Sequence, residues 1–148
     1  MSRRAWIILA TLGSIALLGG AFVFQAFGYA PCKLCYWQRY PHAAAIGVGA
    51  LALITGWRFW PWLGALAAAM TSGLGVYHTG VEQGWWVGPT SCTSGNLGQM
   101  TLNDIMAAPL VRCDEIAWAL MGVSMASWNA ILSAVLVAVW VKAALTRP

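Results

Sequence analysis

Two of the chain's four cysteines lie three apart, in the stretch Pro31-Cys32-Lys33-Leu34-Cys35-Tyr36-Trp37-Gln38-Arg39-Tyr40. Sulfurs at that spacing can close a disulfide across one helical turn or a tight bend, and the bond can be made and broken without large backbone movement. Such a pair suits electron transfer. Arg39 follows Cys35 by four residues, so in a helix it lies one turn away on the same face. A positive charge there favours the thiolate, as does a position at a helix N-terminus. A stabilised thiolate is both a nucleophile and a good leaving group. The plainer reading of Arg39 is an arginine snorkelling to a membrane surface.

The second pair, Cys92 and Cys113, belongs to a polar, turn-rich part of the chain, with Asp114 and Glu115 directly after Cys113. An even set of cysteines placed on one side of a membrane reads as two disulfides or exchanging thiols in an oxidising compartment. Inert staples are the alternative, but a loop as short as the one from Cys32 to Cys35 gains little from being closed. Four cysteines could also enclose a zinc ion in a tetrahedral shell. Only one pair has the usual short spacing, and neither His42 nor His78 stands at a standard ligand interval from a cysteine, so no metal is expected. The chain has no glycine-rich phosphate loop, HExxH or GxSxG motif, which leaves nucleotide and hydrolase chemistry unsupported.

The elements that must position these residues are set by composition. Hydrophobic residues make up 60% of the chain and charged residues 8%, against roughly 25% charged in a soluble domain. This is the composition of an integral membrane protein, and no lysine- or arginine-rich run suggests nucleic acid. The expected fold is all-α: a single membrane domain of four helices, with spans at about 6–27, 35–56, 62–80 and 125–145 and outer loops at about 28–34 and 81–124. The first apolar run is too long for a signal peptide. Starting the second span near Cys35 puts Pro41 inside it, where the missing N–H loosens a turn beside the thiol pair. Ser124 is a suitable N-cap for the last span. Within the long loop, Thr101-Leu102-Asn103-Asp104 resembles a capping box, and Leu102, Ile105, Met106 and Pro109 share one face, predicting a short helix on the membrane surface. Arg3, Arg4, Arg58, Lys142 and Arg147 fall on one side, against Lys33, Arg39 and Arg112 with all four acidic residues on the other. Both termini are therefore expected in the cytoplasm and all four cysteines outside it.

Taken together, Pro-Cys-x-x-Cys-Tyr-x-x-Arg at 31–39, Tyr77-His78, Val81-Glu82-Gln83, Gly88-Pro89-Thr90-Ser91-Cys92, Cys113, Trp118 and Trp128-Asn129 resemble the DsbB family of bacterial inner-membrane disulfide-generating proteins over nearly the whole chain. The resemblance implies a quinone-dependent thiol:disulfide oxidoreductase whose cysteines face the periplasm. A reduced DsbA-like periplasmic protein would attack Cys92 and release Cys113. Cys113 would then engage Cys32, freeing Cys35 as a thiolate beside a membrane quinone held by Arg39. His78, near the outer end of the third span, is a further candidate for the quinone pocket, and Glu82 a weaker one. The acceptor is ubiquinone or menaquinone, which the residues do not separate. Gln38 departs from the family pattern, since an acid precedes the arginine in the best-known member. That difference bears on partner choice, and a DsbI-type relative with a dedicated partner is the alternative within the family.

Overall fold

The computed structural model describes residues 1–89, 106 and 111–147. Four long helices account for most of them: α1 (Arg3–Ala26), α2 (Lys33–Thr55), α3 (Trp60–Glu82) and α4 (Met125–Leu145). Each begins at a residue suited to the place. Ser2 Oγ accepts from the Ala5 amide at 3.2 Å, Pro61 stands in the first turn of α3 where no N–H is needed, and Ser124 Oγ accepts from the Ser127 amide at 3.2 Å. The cap of α2 is Cys32, whose sulfur accepts from the Cys35 amide at 3.2 Å. Helix α2 runs through Pro41, and the Thr71 hydroxyl donates to the Gln38 carbonyl beside it at 2.9 Å. Gly56 ends α2 in the left-handed region at φ 69°, a conformation glycine adopts without steric cost.

The packing is that of helices in lipid. Large side chains such as Ile8, Leu12, Phe22, Ile54, Leu66 and Val135 are exposed on the outer faces, while small residues sit where helices cross. A Cβ on Gly49 would lie 2.0 Å from Thr11 Oγ1, one on Gly64 would lie 2.5 Å from the Trp140 ring, and one on Gly75 would lie 2.9 Å from Ala130 Cβ. By length and hydropathy α1 and α4 are each able to cross a membrane. Helix α2 is less apolar because it carries Lys33, Gln38, Arg39 and His42.

At one end of the bundle Ile7, Ala52, Ala65, Trp140 and Ala143 form a buried cluster. There Arg3 donates to the carbonyls of Gly56 at 2.9 Å and Trp57 at 2.7 Å, satisfying groups that the end of α2 leaves without helical partners. Arg3→Ala is expected to lower stability by about 2 kcal/mol, the scale of losing buried bonds from a charged donor. Arg3→Lys should restore only part of this, because an ammonium cannot reproduce the planar fork. Thermal denaturation in detergent measures both.

A short β-ribbon, which the sequence does not predict, precedes α4. Strands β1 (Ala119–Leu120) and β2 (Val123–Ser124) pair antiparallel, Ala119 with Ser124 and Leu120 with Val123. The turn places Met121 at φ 55° and Gly122 at φ 77°, the positive pair that a two-residue hairpin turn requires. The expected surface helix at 101–109 lies outside the described residues except for Met106, which is helical and exposed.

Candidate functional site

The end of the bundle away from Arg3 gathers the chemistry. Cys32 precedes α2 and Cys35 lies in its first turn; both are free thiols, with their sulfurs 2.9 Å apart. Cys113 is fully buried and disulfide-bonded, and it packs with Cys32, Leu34 and Val81 in one buried cluster. From α3, His78 Nε2 approaches Cys32 Sγ to 3.6 Å. Ligand-type atoms of Cys32, His78 and Cys113 all lie within 4.8 Å of one another. The fold thus joins the α1–α2 and α3–α4 connections at one place. Cys92 lies outside the described residues.

The two thiols of the Cys-x-x-Cys pair are not equivalent. Cys32 is 4% exposed whereas Cys35 is partly accessible. Hydrogen bonding to Cys35 Sγ, followed by burial, pushes the Cys32 thiol above the ordinary cysteine range. Cys32 therefore holds its proton at neutral pH. Under limiting iodoacetamide at pH 7, alkylation is expected at Cys35 first, roughly tenfold or more ahead of Cys32, since only the thiolate reacts. Peptide mass mapping after a short pulse reads the order, and equal labelling would contradict it.

Arg39 lies one turn beyond Cys35, but its guanidinium is held by α1: it donates to Gln25 Oε1 at 2.7 Å and the Ala21 carbonyl at 3.2 Å. It also stands over the rings of Phe22 and Tyr36, 5.0 and 5.3 Å from their centroids. Spacing within α2 could show the turn relation to Cys35; it could not show Gln25. Glu82 accepts from Ser124 Oγ at 2.5 Å and lies 3.9 Å from His78 Nε2, joining the end of α3 to the start of α4. In the α3–α4 connection, Arg112 donates to both carboxylate oxygens of Asp114 at 3.0 and 2.7 Å. That bonding holds the Asp114 carboxyl below its usual range.

Beneath the sulfurs is a buried polar cluster that the sequence reading passed over. Gln38 Nε2 lies 2.8 Å from His78 Nδ1, Asn129 Nδ2 donates to Gln38 Oε1 at 2.7 Å, and His42 Nε2 lies 2.9 Å from Asn129 Oδ1. A signal was present: Gln38 and His42 on α2, and Asn129 and Ser133 on α4, are polar pairs at one-turn spacing within otherwise apolar helices, and such residues face a bundle interior.

Against this cluster opens a cavity of about 400 Å³ lined by Cys35, Arg39 and His78, with apolar walls from Leu17, Phe24 and Leu132. Its size and its few polar groups are those of a small-molecule site. A metal ion would need Cys113 as a free thiolate beside Cys32 and His78, and its disulfide denies that.

A helical chain with a lipid-type exterior, carrying a thiol pair beside a third, disulfide-bonded cysteine, is a membrane protein built for thiol–disulfide chemistry. The family model for Disulfide bond formation protein DsbB matches residues 3–143, and the chain belongs to the DsbB family. It is 32% identical to a Disulfide bond formation protein B of Verminephrobacter eiseniae, over 90% of this chain and 81% of that one. A Disulfide bond formation protein B 2 of Pseudomonas savastanoi is 31% identical, over 85% and 79%. An uncharacterized protein of Rickettsia prowazekii is 27% identical, over 86% and 78%. No solved structure matches the chain.

Proposed function

We propose that this protein reoxidises a periplasmic dithiol protein of the DsbA type and passes the electrons to a membrane quinone. The supporting observation is the gathering of Cys32, Cys35 and Cys113 at one end of the bundle, beside a cavity that Cys35 and Arg39 both line. All four helices span the inner membrane in this reading, with both termini cytoplasmic and the sulfurs at the periplasmic surface.

The partner's thiolate attacks Cys92 and releases Cys113. Cys113, held within 4.8 Å of Cys32, attacks the Cys32–Cys35 disulfide at Cys32, and Cys35 leaves as a thiolate facing the cavity. The partner's second thiol closes its own disulfide and frees Cys92, which restores the Cys92–Cys113 bond as Cys32 is released. One dithiol is oxidised per cycle, and its two electrons and two protons leave the chain together.

The cavity fits a flat aromatic acceptor: its walls are apolar, and Arg39 brings a fixed charge to one side. When bound, a quinone supplies the two-electron sink. Arg39 would hold the ring and the charge that develops on its oxygen, and Cys35 would deliver the electrons as the Cys32–Cys35 disulfide re-forms, with two protons going to the acceptor's oxygens. Apolar walls from α1 and α4 would limit water around the thiolate.

The test mixes the purified protein, a reduced DsbA-like thioredoxin-fold protein and a soluble quinone, and follows quinone absorbance. Catalytic loss of the quinone signal, one equivalent per partner disulfide formed, is expected. Oxidation of the partner without quinone consumption would overturn the acceptor, and no oxidation of any thioredoxin-fold dithiol would overturn the reaction.

A further inference from the structure

We infer that His42, Asn129, Gln38 and His78 form a hydrogen-bond chain with one fixed direction. It ends on Cys32 and makes His78 a hydrogen donor to that sulfur rather than a base. The inference rests on the redox reading above, which makes Cys32 the sulfur that exchanges partners.

The direction is set by groups that can act in only one sense. A backbone carbonyl only accepts, so the end of the Gln38 amide that lies 3.3 Å from the Leu34 carbonyl is its NH2. The end of Asn129 that lies 3.4 Å from the Thr71 carbonyl is likewise its NH2. The Thr71 hydroxyl has already given its proton to the Gln38 carbonyl, so it accepts from the same Asn129 nitrogen at 3.1 Å. With both amides fixed, the remaining protons follow. Asn129 Oδ1 must accept, so His42 carries its proton on Nε2. Gln38 Nε2 must donate, so His78 Nδ1 is a bare lone pair and its ring proton sits on Nε2. That proton is shared: the ring donates to the Cys113 backbone carbonyl, and the same N–H faces Cys32 Sγ at 3.6 Å.

Cys32 Sγ then accepts from His78 Nε2 and from the Cys35 amide, which turns its own proton toward Cys35 Sγ at 2.9 Å. Every donor from α4 inward points toward Cys35. Bonds aligned head to tail in a low-dielectric interior polarise one another, so the chain favours negative charge on Cys35. Gln38, Asn129 and His42 are positioning residues in this scheme, since none of them bonds a cysteine side chain in the described structure.

Chemically, a neutral imidazole with its lone pair committed to Gln38 has no site left to take a proton from Cys32. The chain has two histidines, so the ring nitrogens of the full-length protein, labelled with 15N-histidine and held in lipid nanodiscs under reducing conditions, give two sets of signals. His42→Phe identifies which set is which. Long-range 1H–15N correlation is expected to show the proton on Nε2 in both rings. The His78 Nδ1 should resonate upfield of the His42 Nδ1, which has no partner among the described residues. Gln38→Met should erase that difference without moving the His42 signals by a comparable amount. A proton on His78 Nδ1 in the wild-type protein would overturn the inference, as would a His78 Nδ1 signal unmoved by Gln38→Met. The wild-type spectrum decides even if a variant does not fold. Neither partner nor quinone is in the sample, so failure here leaves the proposed turnover standing, and failure of turnover leaves the proton positions standing.

Discussion

Cys35→Ser is expected to reduce thiol-dependent quinone reduction to the uncatalysed background. The sulfur lines the cavity and lies 2.9 Å from its partner thiol, and a serine hydroxyl can neither form the disulfide nor leave as an anion at neutral pH. Loss of a covalent step is not partly offset by its neighbours, so the fall should be about a thousandfold or more, as for other removed nucleophiles. Steady quinone absorbance with excess reduced partner is the expected record. The same variant should still release one equivalent of partner disulfide in a single turnover, because the Cys113 disulfide is untouched. Retained multiple turnover would remove Cys35 from the route.

Trp140→Ala should produce the largest loss of stability of any single change in the described bundle. The ring is fully buried among Ile7, Ala52, Ala65 and Ala143, and it lies directly over Gly64, where even a Cβ would meet ring carbons at 2.5 Å. Most of the buried residues around it are alanines, which cannot extend into the space, so truncation should cost about 3–5 kcal/mol. Trp140→Phe should cost much less. It keeps most of the ring and removes an indole N–H that has no partner among the described residues. Unfolding in mixed micelles followed by circular dichroism orders the two, and Trp140→Ala within about 1 kcal/mol of wild type would mean that the crossing repacks.

How much of this was legible in the sequence depended on whether the governing forces were local. Long apolar runs and Ser124 as a cap act over a few residues, and the last helix begins where Ser124 puts it. The ribbon at 119–124 escaped because its turn is Met121-Gly122 rather than Asn-Gly, and a methionine at positive φ carries no advance sign of itself. At the site, the Cys-x-x-Cys spacing and the one-turn relation of Arg39 were readable. The hold of α1 on Arg39 through Gln25, and the path from His42 to His78 across α2, α3 and α4, join residues up to 91 apart in the chain. Such pairs are chosen by the packing of the bundle, which no single helix encodes. Ligand spacing along the chain does not show His78 as a neighbour of sulfur, because it reaches Cys32 across 46 residues.

The sulfur of Cys32 is also the stopper of a helix, accepting the Cys35 amide at 3.2 Å. In the proposed relay, each time that atom trades its bonding partner the opening turn of α2 trades its fastening as well. Thermodynamic linkage runs in both directions, so tightness of winding at that turn and eagerness to accept electrons are two faces of one equilibrium. A cap of this kind contributes on the order of 0.5–1 kcal/mol, equivalent to roughly 10–20 mV for a two-electron couple. Residues 33 and 34 could thus act as a fine adjustment of voltage without touching any reacting atom.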